Sequence, residues 1–393
     1  MAAARAIQDP QEDRDPAAFV PRAPRAWPDP LLALAAIGLG VLSLVVLTPL
    51  SHGQMVRQGA FLGVGLLAML AMMRFDYSRL RELKWGIYLV LIASILLVIG
   101  AGQAIAGTTS TRSITISAFS FQASEFGKVL LIVFLAAFVV DSSRKTTGRE
   151  LVARVMLLAL VPAMLVIAEP DLGSGLVFIA IAIAILYIAG AAWQHLAALV
   201  VLGILAFLVV VVVFPAVGVH AFSLQVQRIE AFLHPSSNPK SYGWQQHQST
   251  VAIGSGQKFG RGAAASQTTL GLVPEATTDF IFATLSERFG FAGGALVLAL
   301  YAVMVWRSLR IVVAAKNLFG ALIATGVVAM LLFQVFVNVG VAAGILPITG
   351  VTLPLMSYGG SSVLATFLAL GLLQSIHMQA RVAAGVKGRV LSI

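Results

Sequence analysis

Leu272-Val273-Pro274-Glu275-Ala276-Thr277-Thr278-Asp279-Phe280-Ile281-Phe282 closes a polar, Gly-rich stretch, residues 219–282, set between two long apolar segments. An ordinary connection between membrane helices is a handful of residues, and one this long is either functional or disordered. Ile229, Phe232, Trp244, Val251, Ile253, Phe259 and Leu270 recur through it, which argues against disorder. The stretch reads as an ordered platform outside the membrane with a carboxylate at its edge.

The flanks decide the fold class. The chain has 393 residues, 59% of them hydrophobic and 11% charged, with a mean hydropathy of +0.94. Soluble domains carry about 25% charged residues, so this is an all-α polytopic membrane protein. With no cysteine, thiolate chemistry and disulfides are excluded and no redox compartment can be read. The net charge of +10 comes from short basic loops and not from a Lys/Arg-rich domain, so nucleic acid is not expected as a partner.

A span needs about 20 mostly apolar residues. Candidates lie near 31–50, 56–73, 84–102, 124–141, 154–168, 175–191, 196–218, 289–306, 317–343 and 361–380, the fifth of them short. Basic residues fall in alternate connections: Arg22 and Arg25; Arg74, Arg79, Arg81 and Lys84; Arg144, Lys145, Arg149 and Arg154; Arg307, Arg310 and Lys316; Arg381, Lys387 and Arg389. About ten helices with both termini in the cytoplasm put every cluster inside. The 219–282 loop, between helices seven and eight, then faces outward, with 103–123, 169–174 and 344–360. Residues 1–29 hold five acids, four arginines and five prolines, which reads as a mobile tail without the apolar core of a cleavable leader. The predicted organisation is a disordered cytoplasmic tail over 1–30, one transmembrane domain over 31–380, and a cytoplasmic tail over 381–393.

Ionisable groups near a span need a reason. Glu125 and Lys128 are spaced i, i+3 and can pair on one helix face. Glu125 also suits a helix N-terminus, whereas Lys128 sits a turn deeper, before Val129-Leu130-Leu131-Ile132, and a cavity role competes with simple neutralisation. In Glu169-Pro170-Asp171-Leu172-Gly173, Pro170 and Gly173 build a turn, and Asp171 could also hold the large loop. Residues 277–290 can form a helix with Asp279, Ala283, Ser286, Glu287 and Gly290 on one face. Asp279 is then either an N-terminal charge, with Thr277 and Thr278 as caps, or a catalytic carboxylate, and the residues alone do not choose. Arg228, Lys240, Lys258 and Arg261 in the loop are either solvated or part of an electropositive cleft for a pyrophosphate, for which arginine has the better geometry. The run 346–362 has too many prolines and glycines for a continuous helix and reads as a broken segment buried against protein, or as an ordered outer turn. No histidine pattern for a metal, no phosphate-binding loop and no Ser/His/Asp set is present.

Five motifs carry a resemblance: Phe119-Ser120-Phe121-Gln122-Ala123-Ser124-Glu125; Glu169-Pro170-Asp171-Leu172-Gly173; Gln248-Ser249-Thr250-Val251-Ala252-Ile253-Gly254-Ser255-Gly256; Pro274 to Phe282; and Ser357-Tyr358-Gly359-Gly360-Ser361-Ser362. In this order, over about residues 31–380, the chain resembles the SEDS family (shape, elongation, division and sporulation proteins). Thr277-Thr278-Asp279 and Gly371-Leu372-Leu373-Gln374-Ser375-Ile376-His377 look more like the RodA branch than the FtsW branch.

The resemblance implies a peptidoglycan glycosyltransferase that polymerises lipid II on the outer face of the bacterial cytoplasmic membrane, with a class B penicillin-binding protein as partner. It maps the family's essential aspartate onto Asp279, as general base. Substrate contact falls to Arg112, Gln122, Ser124, Glu125, Lys128, Asp171, Arg228, Gln248 and Ser249. No cofactor follows from the sequence, and a divalent cation could assist the leaving pyrophosphate. Three departures bear on substrate fit: Ser113 stands where the family often has tryptophan, Ala123 where it has proline, and Gly262-Ala263-Ala264-Ala265-Ser266-Gln267 replaces a Gly-rich version. Two other classes stay open at this point. A lipid II flippase needs polar groups deep in the bundle and on both sides, and a non-catalytic scaffold would make Asp279 a cap.

Overall fold

The computed structural model describes residues 27–101, 103–104, 111–116, 119–143, 146–169, 171–209, 223–233 and 242–390. Ten helices match the ten expected segments: α1 (Pro30–Leu47), α2 (His52–Arg74), α3 (Lys84–Ala101), α4 (Ala123–Ser142), α5 (Gly148–Ala168), α6 (Leu172–Ile188), α7 (Trp193–Leu208), α10 (Ile281–Ala314), α11 (Leu318–Ala342) and α12 (Gly360–Val390). Eight are long and apolar enough to cross a membrane, while α6 and α7 fall in the shorter apolar class. Two helices of the large loop, α8 (Ser223–Leu233) and α9 (Tyr242–Ser255), complete the set.

Some expected bounds shift. The short fifth span is the full-length α5, because Thr147 caps it through Glu150 N–H and starts it earlier. The C-terminal tail expected from 381 continues α12 as far as Val390. The tail at 1–26 and the loop residues 210–222 and 234–241, Lys240 among them, lie outside the described residues. The 103–123 connection carries a small antiparallel sheet, β1 (Gln103–Ala104), β2 (Thr111–Ile116) and β3 (Phe119–Phe121), in the order β1-β2-β3. Four β-branched residues in Thr111-Arg112-Ser113-Ile114-Thr115-Ile116 favour a strand where the segment is too short to span.

α4 is the central post. It packs on α3, α5, α6, α11 and α12, and its face from Leu131 to Ala137 is almost wholly buried. Small residues let the helices approach closely: a Cβ at Gly326 of α11 would stand 2.8 Å from Ile132 of α4. α7 is peripheral, touching α6 and leaving Trp193 72% exposed, as a lipid-facing helix can.

The bundle has two chemically distinct ends. Asn317 at the start of α11 and Asn338 near its close are 21 residues apart in number, about 32 Å along a helix at 1.5 Å per residue, the thickness of a bilayer core. At the Asn317 end the charges are spent on each other. Arg307 pairs with Asp29, whose carboxylate also caps α1 through Leu31 and Leu32 N–H. Burial alone would push the Asp29 carboxyl up, but the Arg307 guanidinium and the Leu32 N–H outweigh it and hold it below its usual value. Asp141 takes Arg81 at 2.5 Å and also Lys84. Burial pushes the Tyr77 phenol, bonded to Asn317, up to about 12. We call this the basic end.

Candidate functional site

The other end gathers the residues singled out in the sequence. Gln122 precedes α4, and its side chain reaches Ser124 at 3.1 Å and Asp171 at 3.4 Å; Ser124 Oγ donates to Asp171 at 3.2 Å. Asp171 also caps α6 through Ser174 N–H at 3.0 Å. It therefore ties α6 to the start of α4. Ser361 of α12 bridges the same corner, donating to the Ser120 carbonyl at 2.6 Å and accepting from Gln122 N–H at 3.1 Å.

One turn deeper on α4, Lys128 Nζ lies 2.8 Å from Glu125 Oε1. Lys128 is 1% exposed and Glu125 3%, so the i, i+3 pair is a buried one. Thr352 contacts Glu125 at 3.4 Å and Ser362 at 3.0 Å, linking the pair to the connection between α11 and α12. That connection is non-helical and buried, as the broken-segment reading required: Leu353, Leu355 and Met356 are fully buried. Its carbonyls find donors inside the bundle. Tyr301 donates to Pro354 at 2.5 Å, Ser43 to Met356 at 2.7 Å, and Gln58 to Ser357 at 3.1 Å.

Asp279 lies against this segment. The helix expected over 277–290 begins only at Ile281, its N-cap position is Phe280, and no side chain caps it. Thr277 and Thr278 are not caps; Thr278 Oγ1 donates to Glu275 Oε2 at 2.8 Å. Asp279 is thus half-buried in a turn ahead of α10, with its carbonyl bound by Asn338 at 2.9 Å. It stands one position ahead of the N-cap, at the N-terminal end of α10.

The helix also breaks at Gly290, with φ 64° and ψ −161°. The glycine loop after α9 is spliced into the break: Phe291 N–H donates to the Gln257 carbonyl at 2.8 Å, Ala292 N–H to Lys258 at 3.0 Å, and Arg261 N–H to Glu287 at 2.9 Å. A side chain at Gly260 would meet the Arg288 carbonyl at 2.1 Å, so only glycine fits that contact. Glu287, expected on the Asp279 face, is buried and accepts from Gln267 N–H, Thr268 N–H and the Thr268 hydroxyl at 2.7–3.0 Å. It holds the loop and is satisfied.

The remaining candidates are spread over α8, α9 and β2. Arg228 is 8% exposed, stacks 5.3 Å over the Tyr242 ring, and leaves its Nε without a hydrogen-bond partner. Ser249 spends its hydroxyl on the Ala342 carbonyl at 2.8 Å, and Gln248 is half-buried on the same helix. Lys258 and Arg261 are exposed, the solvated outcome. Arg112 lies in β2, with its side chain outside the described residues. Among the described residues no group of three or more His, Asp or Glu could hold a metal. A cavity of about 390 Å³ lies at the basic end, lined by Arg81, Lys84, Asp141 and Asn317 among others, and none of the candidate residues lines it. Sequence reasoning missed Asn338 and Thr352; an amide inside the apolar segment 317–343 was the available signal for the first.

Comparison with known proteins fits this architecture. A family model described as cell cycle protein, FtsW/RodA/SpoVE, matches residues 31–382. Stage V sporulation protein E of Bacillus subtilis is 36% identical over 330 residues, covering 83% of this chain and 87% of its own. The peptidoglycan glycosyltransferase MrdB of Escherichia coli is 35% identical over 357 residues, covering 89% and 93%. The solved structure titled "Structural coordination of polymerization and crosslinking by a peptidoglycan synthase complex" matches with TM-score 0.76 at 30% identity, over 90% of this chain and 98% of that one. FtsW proteins and the RodA of Thermus thermophilus match as well, so the comparisons do not divide the RodA branch from the FtsW branch. With a family model spanning nearly its whole length and relatives aligned over most of both chains, this polytopic membrane protein belongs to the FtsW/RodA/SpoVE family, the SEDS proteins.

Proposed function

We infer that this protein is a peptidoglycan glycosyltransferase that polymerises lipid II, working with a class B penicillin-binding protein. Relatives named as peptidoglycan glycosyltransferases support the reaction class, and the synthase complex supports the pairing of polymerisation with crosslinking. Basic residues concentrated at one end favour that end as cytoplasmic. The Asp279 end then faces outward from the bacterial cytoplasmic membrane, where lipid II presents its sugars. This keeps the predicted tails inside and the 31–380 domain as the catalytic unit.

Asp279 is the general base. Its carboxylate takes the proton of an acceptor-sugar hydroxyl while the oxygen attacks the anomeric carbon of the donor. The bond from that carbon to phosphate breaks, and the lipid pyrophosphate leaves with the electron pair. The leaving group is already weakly basic, so no strong acid is needed, and one positioned carboxylate suffices. Lys128 and Arg228 are the buried cations placed to stabilise the departing charge, with Arg112 expected beside them. Gln122, Ser124 and Asp171 form the neighbouring polar corner, with Gln248 and Ser249 on the loop wall. The observation that carries the assignment is a half-buried carboxylate on a turn whose backbone is fixed by Asn338.

The test uses the complex with its penicillin-binding protein, whose transpeptidase serine is replaced, incubated with lipid II. Long glycan chains from wild type and none from Asp279→Ala, with the complex intact, support the base. Chains from both remove Asp279 from the chemistry. Chains from neither send the protein to a lipid II scrambling assay, where activity above empty liposomes would establish the flippase reading.

A further inference from the structure

Three consecutive carbonyls, those of Thr277, Thr278 and Asp279, are each captured from one direction. Tyr358 N–H donates to Thr277 at 2.8 Å. Ser357 Oγ donates to Thr278 at 2.6 Å. Asn338 Nδ2 donates to Asp279 at 2.9 Å. All three donors belong to α11 or to the connection after it. The two side-chain donors are 1% exposed, where an unmade hydrogen bond is costly. Each is held in turn: Ser357 Oγ accepts from Leu353 N–H at 2.8 Å, and Asn338 Nδ2 gives its second hydrogen to the Val351 carbonyl at 2.8 Å.

We propose that Asn338 and Ser357 are positioning residues that fix the Thr277-Thr278-Asp279 backbone and so aim the Asp279 carboxylate. The proposal rests on Asp279 being the base. The direction of an aspartate side chain follows from its peptide planes, and hydrogen bonds on three successive carbonyls fix those planes at the residue itself and at the two before it. Both donors are neutral, so the clamp adds no charge that would compete with the carboxylate for a sugar proton or with a cation for pyrophosphate. Its role is geometric, and geometry is where a small displacement is expensive: a misplacement of about 1 Å can lower a rate about 100-fold.

The experiment compares wild type, Asn338→Leu, Ser357→Ala and Asp279→Asn in the complex with the penicillin-binding protein. Lipid II turnover is followed across pH, with complex recovery and thermal unfolding measured beside it. Asn338→Leu and Ser357→Ala are expected to lower kcat by about 10- to 100-fold, to leave KM for lipid II unchanged, and to move the acidic limb of the pH profile. Lost active protein would instead scale the whole profile without moving its limb, and that result overturns the proposal, as do wild-type rates in both variants. Ser357→Ala removes one hydroxyl from a small side chain and stays folded if Asn338→Leu does not. Asp279→Asn separates the two readings. Retained activity there defeats the base assignment, whereas an inactive Asp279→Asn beside two fully active clamp variants defeats the clamp alone.

Discussion

Lys128→Met should destabilise the protein severely, and Glu125→Gln combined with it should restore most of the loss. The ions are 2.8 Å apart, which gives about 6 kcal/mol of attraction at an effective dielectric of about 20. Desolvating both charges returns most of that gain, so the intact pair contributes little net stability. Removing one partner is different. Glu125 would stay 3% exposed with a single weak hydroxyl contact from Thr352 at 3.4 Å, and breaking such a pair costs about 3–5 kcal/mol. The double variant is neutral and keeps the volume, so its unfolding temperature should approach that of wild type. Thermal unfolding in detergent micelles reads the stability, and lipid II polymerisation is measured on the same samples. If the pair only neutralises a helix, the double variant recovers both stability and activity. If Lys128 also meets the pyrophosphate, stability returns while polymerisation stays low. An unchanged unfolding temperature for Lys128→Met alone would refute the reasoning, because it would mean that Glu125 is not confined to a buried site.

Gly260→Ala should cost at least about 1–2 kcal/mol from its left-handed backbone alone, with a further clash at the Arg288 carbonyl. Hydrogen exchange would show it as lost protection at Arg261, Phe291 and Ala292, and normal protection there would reject the splice. Asp29, held below its usual value by Arg307, contributes stability that is present above an ordinary carboxylate value of about 3.9 and lost as pH falls through its lower folded value. The stability gap between wild type and Arg307→Leu should therefore be full at neutral pH and close in acid. A gap that does not change with pH would mean that Arg307 acts through packing.

Local spacing made part of the site legible. Glu125 and Lys128 declare their pairing because i, i+3 neighbours on a helix must meet, and the motifs place α4, α6 and the α11–α12 connection at one end. Asp279 was legible as a residue but not as a conformation. Thr277-Thr278-Asp279 before an apolar run is the ordinary signature of a helix start, yet the backbone there is captured by residues 59 to 81 positions later, a tertiary override that no local window contains. Gly290 was hidden for a related reason. One glycine costs a helix only about 1 kcal/mol, and the break follows from the 257–261 backbone entering the gap. The partners of Asp171, Ser124 and Gln122, were not legible because they lie at the start of α4, 47 to 49 residues earlier.

The two ends of the bundle hold their loops by different chemistry, and the difference follows from what each end must tolerate. At the basic end Asp29, Asp141 and Glu150 are matched by Arg307, Arg81 with Lys84, and Arg154. At the other end Asp171, Glu287 and the Glu125–Lys128 pair also tie elements together, but the carbonyls of the loops around Asp279 are held by neutral donors: Ser43, Gln58, Gln246, Ser249, Asn338, Ser357 and Ser361. A pyrophosphate arriving at a frame built from ion pairs would compete for its cations, and a base that gains and loses a proton would change its charge balance at each turnover. A frame of hydroxyls and amides on carbonyls neither titrates near neutral pH nor offers a lone cation to be pulled away. The loops around Asp279 can therefore keep one geometry while charge enters, moves and leaves.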